Sequence, residues 1–332
     1  MAPDAKKVYF IKTHKTASSS LCALLHELAA RKRESMFVPP FSWHAGHHWL
    51  RSSHLLTVAL ERAHIACQLP FHFWVNHVSY DAWLHARMAP CHVVTILRHP
   101  VSAFESAWNY YGYGSRLGLK INEFVAKCAR DESYAQKHAD LINMMSHDIC
   151  GTSLSYEQML DKLQDDSWLF LLCEQFNRSV LLLEATCPSC EGVAELHAAA
   201  YPVRFKEQPK TDVLTDESKR TFLTLCTHDL QLYERAVERF EERCAAAGVP
   251  ARVDLTKPER PVELLDNMEW VQGYWTQQKT AATALLRWLT ASKLTKALER
   301  RASLRALLLP VFVLDGLARR SSLLRGIWSL LK

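Results

Sequence analysis

The 332-residue chain predicts an α/β fold in which a central parallel sheet is flanked by helices and followed by a helical C-terminal extension. Short, buried-type apolar runs at roughly 7–11, 71–76, 92–97 and 168–173 alternate with helix-period segments, the pattern of a parallel sheet with helices on both faces. Hydrophobic residues make up 48% of the chain, ample for one large core and far from a disordered composition. Beyond about residue 250 the composition changes, which divides the chain into a domain at 1–250 and an extension at 251–332.

The first run, Val8-Tyr9-Phe10-Ile11, leads into Lys12-Thr13-His14-Lys15-Thr16-Ala17-Ser18-Ser19 and a helix predicted over 18–32. The second, Phe71-His72-Phe73-Trp74-Val75, ends at Asn76-His77, with a helix to follow at 80–87. Val93-Val94-Thr95-Ile96-Leu97 forms the third, closed by Arg98, and Pro100 suits the first turn of a helix over 101–111. Helices at 121–129 and 155–164 precede a fourth strand at 168–173. A single long helix is expected from 215 to 247, with Thr215 as N-cap, Asp216 and Glu217 in its first turn, and Gly248-Val249-Pro250 as its stop. Its apolar residues Phe222, Leu225, Leu232, Val237 and Phe240 read as a packing face.

A strand that runs through a Lys/Thr/Ser turn into a helix is a recurrent way of holding phosphate, because backbone N–H groups and the helix N-terminus converge there. Lys12 and Lys15 add charge, and Thr16, Ser18 and Ser19 add hydroxyl donors. Lys15-Thr16 stands where a Walker A motif ends, but that motif needs glycine at positions 9 and 14, where this chain has Tyr9 and His14. A tighter turn with a lysine at its tip suits a 5′-phosphosulfate. A P-loop nucleotide kinase or hydrolase remains the alternative; it would require magnesium and an acidic metal ligand at a strand end. Ser106 follows Arg98 by about two helical turns, so a guanidinium and a hydroxyl can converge on a second phosphate.

The segments Phe10 to Ser19, Asn76-His77, Ile96-Leu97-Arg98-His99-Pro100 and Phe104-Glu105-Ser106, in this order and spacing, resemble the galactose 3-O-sulfotransferases, galactosylceramide sulfotransferase among them. The likeness continues more weakly through Trp168 to Phe176, Ser179 to Leu183, Phe205-Lys206 and His228 to Tyr233, covering roughly 7–245. It implies a P-loop-like sulfotransferase fold and transfer of a sulfuryl group from 3′-phosphoadenosine 5′-phosphosulfate to a sugar hydroxyl, the 3-hydroxyl of galactose on a glycolipid or glycan, without a metal. It further implies that Lys15 sits on the phosphosulfate with Thr16, Ala17, Ser18 and Ser19 as its cradle, and that Arg98 and Ser106 take the 3′-phosphate. Such a transfer needs a cation on the leaving oxygen and a base for the sugar hydroxyl. Lys15 and His77 are the residues expected in those roles.

Lys12 and Lys206 complete the expected donor site, Lys206 from the basic stretch Arg204 to Lys210. Glu105 lies inside the matched triplet; a helical glutamate most often faces water, and no role is assigned to it from the sequence. His44, His47 and His48 lack the spacing of a zinc site, and Trp43 and Trp49 beside them suit a sugar ring or packing. Cys22, Cys91 and Cys173 read as buried thiols, Cys187-Pro188-Ser189-Cys190 as a single Cys-x-x-Cys, and Asn177-Arg178-Ser179 as a glycosylation triplet.

From Arg287 to Lys332 there are 10 Lys/Arg against 2 Asp/Glu, a balance of +8 in a chain of +5 overall. This basic, amphipathic tail fits contact with an anionic membrane surface, the basis of a third reading as a non-catalytic glycan- or membrane-binding protein. Charge confined to the tail and dispersed aromatic residues argue against nucleic acid as a partner. The resemblance implies the Golgi, where such enzymes carry an N-terminal anchor; the sequence begins Met-Ala-Pro-Asp-Ala-Lys-Lys with no apolar leader, which fits a soluble or truncated form. A second departure is His99, where the family usually has Asp.

Overall fold

The computed structural model describes residues 7–37, 55–200 and 211–253. The chain divides into two compact units, one of Met1–Met36 with His72–Leu264 and one of Phe37–Phe71 with Leu265–Lys332. Most of the extension at 251–332, Lys206, and the His44/His47/His48 segment lie outside the described residues.

In the first unit, β1 (Val8–Ile11) leads to α1 (Ser18–Lys32). The described part of the second unit holds α2 (Leu55–Gln68) and the tilted ring pair Phe37–Phe71. The first unit continues with β2 (Phe73–Asn76), α3 (Ala82–Met88), β3 (His92–Leu97), α4 (Pro100–Tyr111), α5 (Tyr113–Leu117) and α6 (Ile121–Arg130). Short helices α7 (Glu132–Lys137), α8 (Ala139–Ile142), α9 (Met144–Cys150) and α10 (Tyr156–Asp161) precede β4 (Trp168–Leu172). Then come α11 (Phe176–Thr186), α12 (Val193–Ala200), α13 (Asp216–Leu225) and α14 (Thr227–Ala246).

The four strands form one parallel sheet in the order β2-β1-β3-β4. Every strand residue is buried, as expected where helices cover both faces. After β1 the chain goes to one side for β2 and then crosses back to the other for β3, so the direction of winding switches between β1 and β3. A crevice opens at such a switch point beyond the carboxyl ends of the strands. Ile11 is level with Asn76 on one side and Thr95 on the other. Lys12 and His77 therefore leave adjacent strands at the same height, and Arg98 follows β3 nearby.

The expected long helix over 215–247 is two helices that break at Cys226 (φ −88°, ψ 46°). The break has a physical cause. At the start of α14 the backbone N–H groups of His228 and Asp229 both donate to Asn143 Oδ1, at 3.1 Å each. In return, Asp229 accepts from Met145 N (3.0 Å), Ser146 N (2.7 Å) and Ser146 Oγ (2.7 Å) at the start of α9. Each helix start is capped by a side chain from the other, which satisfies donors that an unbroken helix could not reach. Asp229 is buried, and that burial pushes its carboxyl up to about 6.

The apolar face otherwise packs as its pattern requires. Phe222 stacks on Phe104 of α4 with ring centroids 4.2 Å apart, and Phe124 and Trp108 complete the cluster. Glu105 is not solvent-facing: it is buried and accepts Leu214 N at 3.1 Å. Asn109, one turn on, accepts from Thr211 and Asp212, so the chain re-enters at Thr211 docked against α4. Cys91, Cys187 and Cys190 are buried free thiols, whereas Cys22 and Cys173 are half-buried. The glycosylation triplet lies within α11, where Asn177 Oδ1 bonds His197 Nε2 at 2.8 Å.

Candidate active site

The turn after β1 is built by its own hydroxyls. Thr13 Oγ1 donates to the Ile96 carbonyl of β3 at 2.5 Å, so the proton between the Thr13 and Thr16 hydroxyls, 2.8 Å apart, comes from Thr16. Ser18 Oγ donates to the Thr13 carbonyl at 2.5 Å. Thr16 and Ser18 thus direct their hydroxyls to the loop itself in this arrangement. Ser19, next along the first turn of α1, is exposed.

These bonds hold Lys15 (φ 59°) and Ala17 (φ 63°) in the left-handed region without glycine. That conformation costs roughly 1–2 kcal/mol per residue and persists where surrounding contacts over-determine it. It bends the turn tightly around the start of α1, whose first turn has no acidic residue. The positive end of the helix therefore has no carboxylate of its own to offset it.

Lys15 lies with Nζ 3.6 Å from the centre of the Tyr110 ring. Its partial burial first, then the charges of Arg98 and Lys12, hold its ammonium below the ordinary lysine range. Arg98 Nη1 donates to the Lys15 carbonyl at 3.2 Å, which ties the end of β3 to the turn after β1. Ser106 is half-buried on α4, one turn before Tyr110, on the stripe of the helix that Lys15 touches. The segments singled out separately in the sequence meet at one place.

His77 leaves β2 beside this turn, and Lys12 Nζ donates to its Nε2 at 2.8 Å. The ring of His77 stacks on that of His14, with centroids 5.1 Å apart and planes at 25°. His14 in turn is held twice by Asp148 Oδ2, through its backbone N at 2.8 Å and its Nδ1 at 2.6 Å. Tyr111 of α4 meets the other part of His14 edge-on at 5.9 Å. Asp148, on α9, was not singled out in the sequence; it stands 134 positions from its partner, and no local spacing signals the pair.

His99 does not replace a charge partner for Arg98. Its backbone N donates to Glu174 Oε1 at 2.8 Å and its ring packs edge-on against Tyr233 at 5.5 Å. Among the described residues there is no group of three His, Cys, Asp or Glu able to hold a metal ion, and no helix long and apolar enough to cross a membrane.

Fold and site together define a P-loop-like α/β protein that carries three cations, Lys12, Lys15 and Arg98, at the switch point of its sheet. The galactose-3-O-sulfotransferase family model matches residues 1–255, and the chain belongs to that family. It is 24% identical over 247 residues to galactose-3-O-sulfotransferase 2 of Mus musculus, covering 70% of this chain and 61% of the relative. To galactose-3-O-sulfotransferase 3 of Bos taurus it is 26% identical over 267 residues, covering 74% and 59%. Galactose-3-O-sulfotransferase 2 of Sus scrofa is 24% identical over 266 residues, covering 76% and 65%. The chain spans about three-fifths of the length of these relatives.

Proposed function

We propose that this protein is a carbohydrate sulfotransferase that moves a sulfuryl group from 3′-phosphoadenosine 5′-phosphosulfate to the 3-hydroxyl of a galactose on a glycolipid or glycan. The observation that carries this reading is the Arg98–Lys15 hydrogen bond, which gathers the cations of both sequence motifs at one helix start. A donor with anionic groups at both ends fits such a cluster. Lys15, Lys12 and the backbone of Thr16, Ala17, Ser18 and Ser19 take its phosphosulfate, and Arg98 with Ser106 takes the 3′-phosphate. Lys206, outside the described residues, is the further donor-binding residue that the resemblance supports.

In the transfer the galactose oxygen bonds to sulfur as the sulfur–oxygen bond to the 5′-phosphate breaks, leaving adenosine 3′,5′-bisphosphate. Lys15 stabilises the negative charge that grows on the leaving oxygen. His77 takes the hydroxyl proton at Nε2. Lys12 donates to that nitrogen, so the base becomes available when Lys12 turns to the anionic sulfate donor.

The resemblance supports a Golgi setting for the reaction, and the charge balance of +8 over 287–332 supports contact with an anionic membrane that bears the acceptor. The test is incubation with labelled sulfate donor and a panel of galactosyl lipids, free galactosyl glycans and phenols, in chelator. Magnesium-independent labelling of galactosyl acceptors supports the reading. Labelling of phenols alone, or magnesium-dependent hydrolysis of a nucleoside triphosphate instead, overturns it.

A further inference from the structure

A base beside this turn faces an electrostatic difficulty. On taking a proton His77 becomes an imidazolium beside a turn that carries Lys12 and Lys15 and is tied to Arg98, and like charges disfavour that state. Among the described residues a carboxylate that answers them is Asp148, buried and bound twice to His14, whose ring stacks on His77.

Asp148 is itself held from both ends of α9. Asp229 of α14 caps the start of the helix through Met145 and Ser146. At the other end Tyr80 N donates to the Ile149 carbonyl at 2.8 Å, which joins α9 to the loop that follows His77. Gly151 (φ 54°) closes against Ser79, whose Cβ would stand 2.4 Å from any Cβ at 151. A short helix fixed at both ends, with its one inward carboxylate on a histidine of the turn, is more bracing than packing of a loop requires.

We propose that Asp148 is a positioning residue for His77 that acts through His14, holding the His14 ring against His77 and lending the negative charge that favours the protonated His77 formed during transfer. This rests on the sulfotransferase reading above. The other groups that face the pair are Lys12 and Lys15 from the turn, Arg98 after β3, Tyr111 and Tyr113 beside α4, and Asp229 from α14. Burial raises both tyrosines, so they stay neutral near pH 7.

The test is D148N in the full chain, which preserves size and one acceptor oxygen but removes the charge. Expected is a fall in kcat of about tenfold or more with the KM for the sulfate donor little changed, and a shift of the acid limb of the kcat–pH profile to lower pH by about one unit. The sign follows from the chemistry: without the anion His77 binds its proton more weakly, so it is free as a base at lower pH yet accepts less avidly. A drop in kcat with an unmoved limb, or a rise in donor KM alone, overturns the proposal. If circular dichroism shows D148N unfolded, H14F is the second variant: it keeps a ring against His77 but breaks the side-chain bond to Asp148, so an acid limb moved to lower pH supports the proposal and an unmoved limb overturns it. If the wild-type protein transfers no sulfuryl group, the functional reading fails on its own; the NMR titration of labelled His77 in wild type and D148N then decides the electrostatic coupling, a lower midpoint in D148N supporting it and equal midpoints refuting it.

Discussion

The cross-capped helix starts give a sharp stability prediction at Asp229. Its carboxyl is moved from an ordinary 3.8 to about 6 by burial, only partly offset by the three hydrogen bonds from Met145 and Ser146. Raised in the folded state, this group favours folding most below pH 3.8, and that contribution is lost as pH rises through 6. The difference of about two units corresponds to about 3 kcal/mol, of which roughly 2 kcal/mol is lost between about pH 4.5 and pH 7.5. D229N cannot ionise, so the wild-type stability minus that of D229N falls by this amount over that interval, whatever the constant offset from the altered cap. Urea unfolding at both pH values measures it. A difference between the two proteins that stays flat with pH would refute the reasoning that burial dominates at Asp229.

Other perturbations follow from the same frame. G151A forces a side chain onto Ser79 in a left-handed backbone and is expected to destabilise by at least about 2 kcal/mol, read as a lowered midpoint in urea. F222A empties the buried site stacked on Phe104 and is expected to cost about 3–5 kcal/mol with no change in donor KM, as checked by unfolding and steady-state kinetics in parallel. T13V strips the Ile96 carbonyl and Thr16 of their partner; it is expected to cost about 1–3 kcal/mol and to weaken nucleotide binding, measured by calorimetry.

The sheet was legible because its strands are uninterrupted apolar runs ended by charge, as at Ile11-Lys12 and Leu97-Arg98, and α1 and α4 fall within a residue of their expected bounds. What the sequence withheld lies in long-range pairing. The residues of α13 and α14 carry a helical pattern through Cys226, and only Asn143, more than 80 positions away, accounts for the break. Helix α9 is short and buried on most sides, so it shows no amphipathic period, and Asp148 passes for an ordinary acidic residue. His77 was reached by motif, but its contact with Lys12 depends on strand register, and its stack on His14 on a turn whose left-handed residues are not glycines. Glu105 lies on the side of α4 that receives Leu214, a partner invisible to helical periodicity.

The central claim is that one nucleotide is gripped at its two anionic ends by the turn at Lys15 and by Arg98. Calorimetry in chelator with adenosine 3′,5′-bisphosphate and with adenosine 5′-phosphate, on wild type, R98A and K15A, tests it most directly. Wild type is expected to bind the bisphosphate far more tightly, R98A to bring the two ligands to similar affinity, and K15A to weaken both together. Equal affinity of the wild-type protein for the two ligands, or no binding of either, would contradict it.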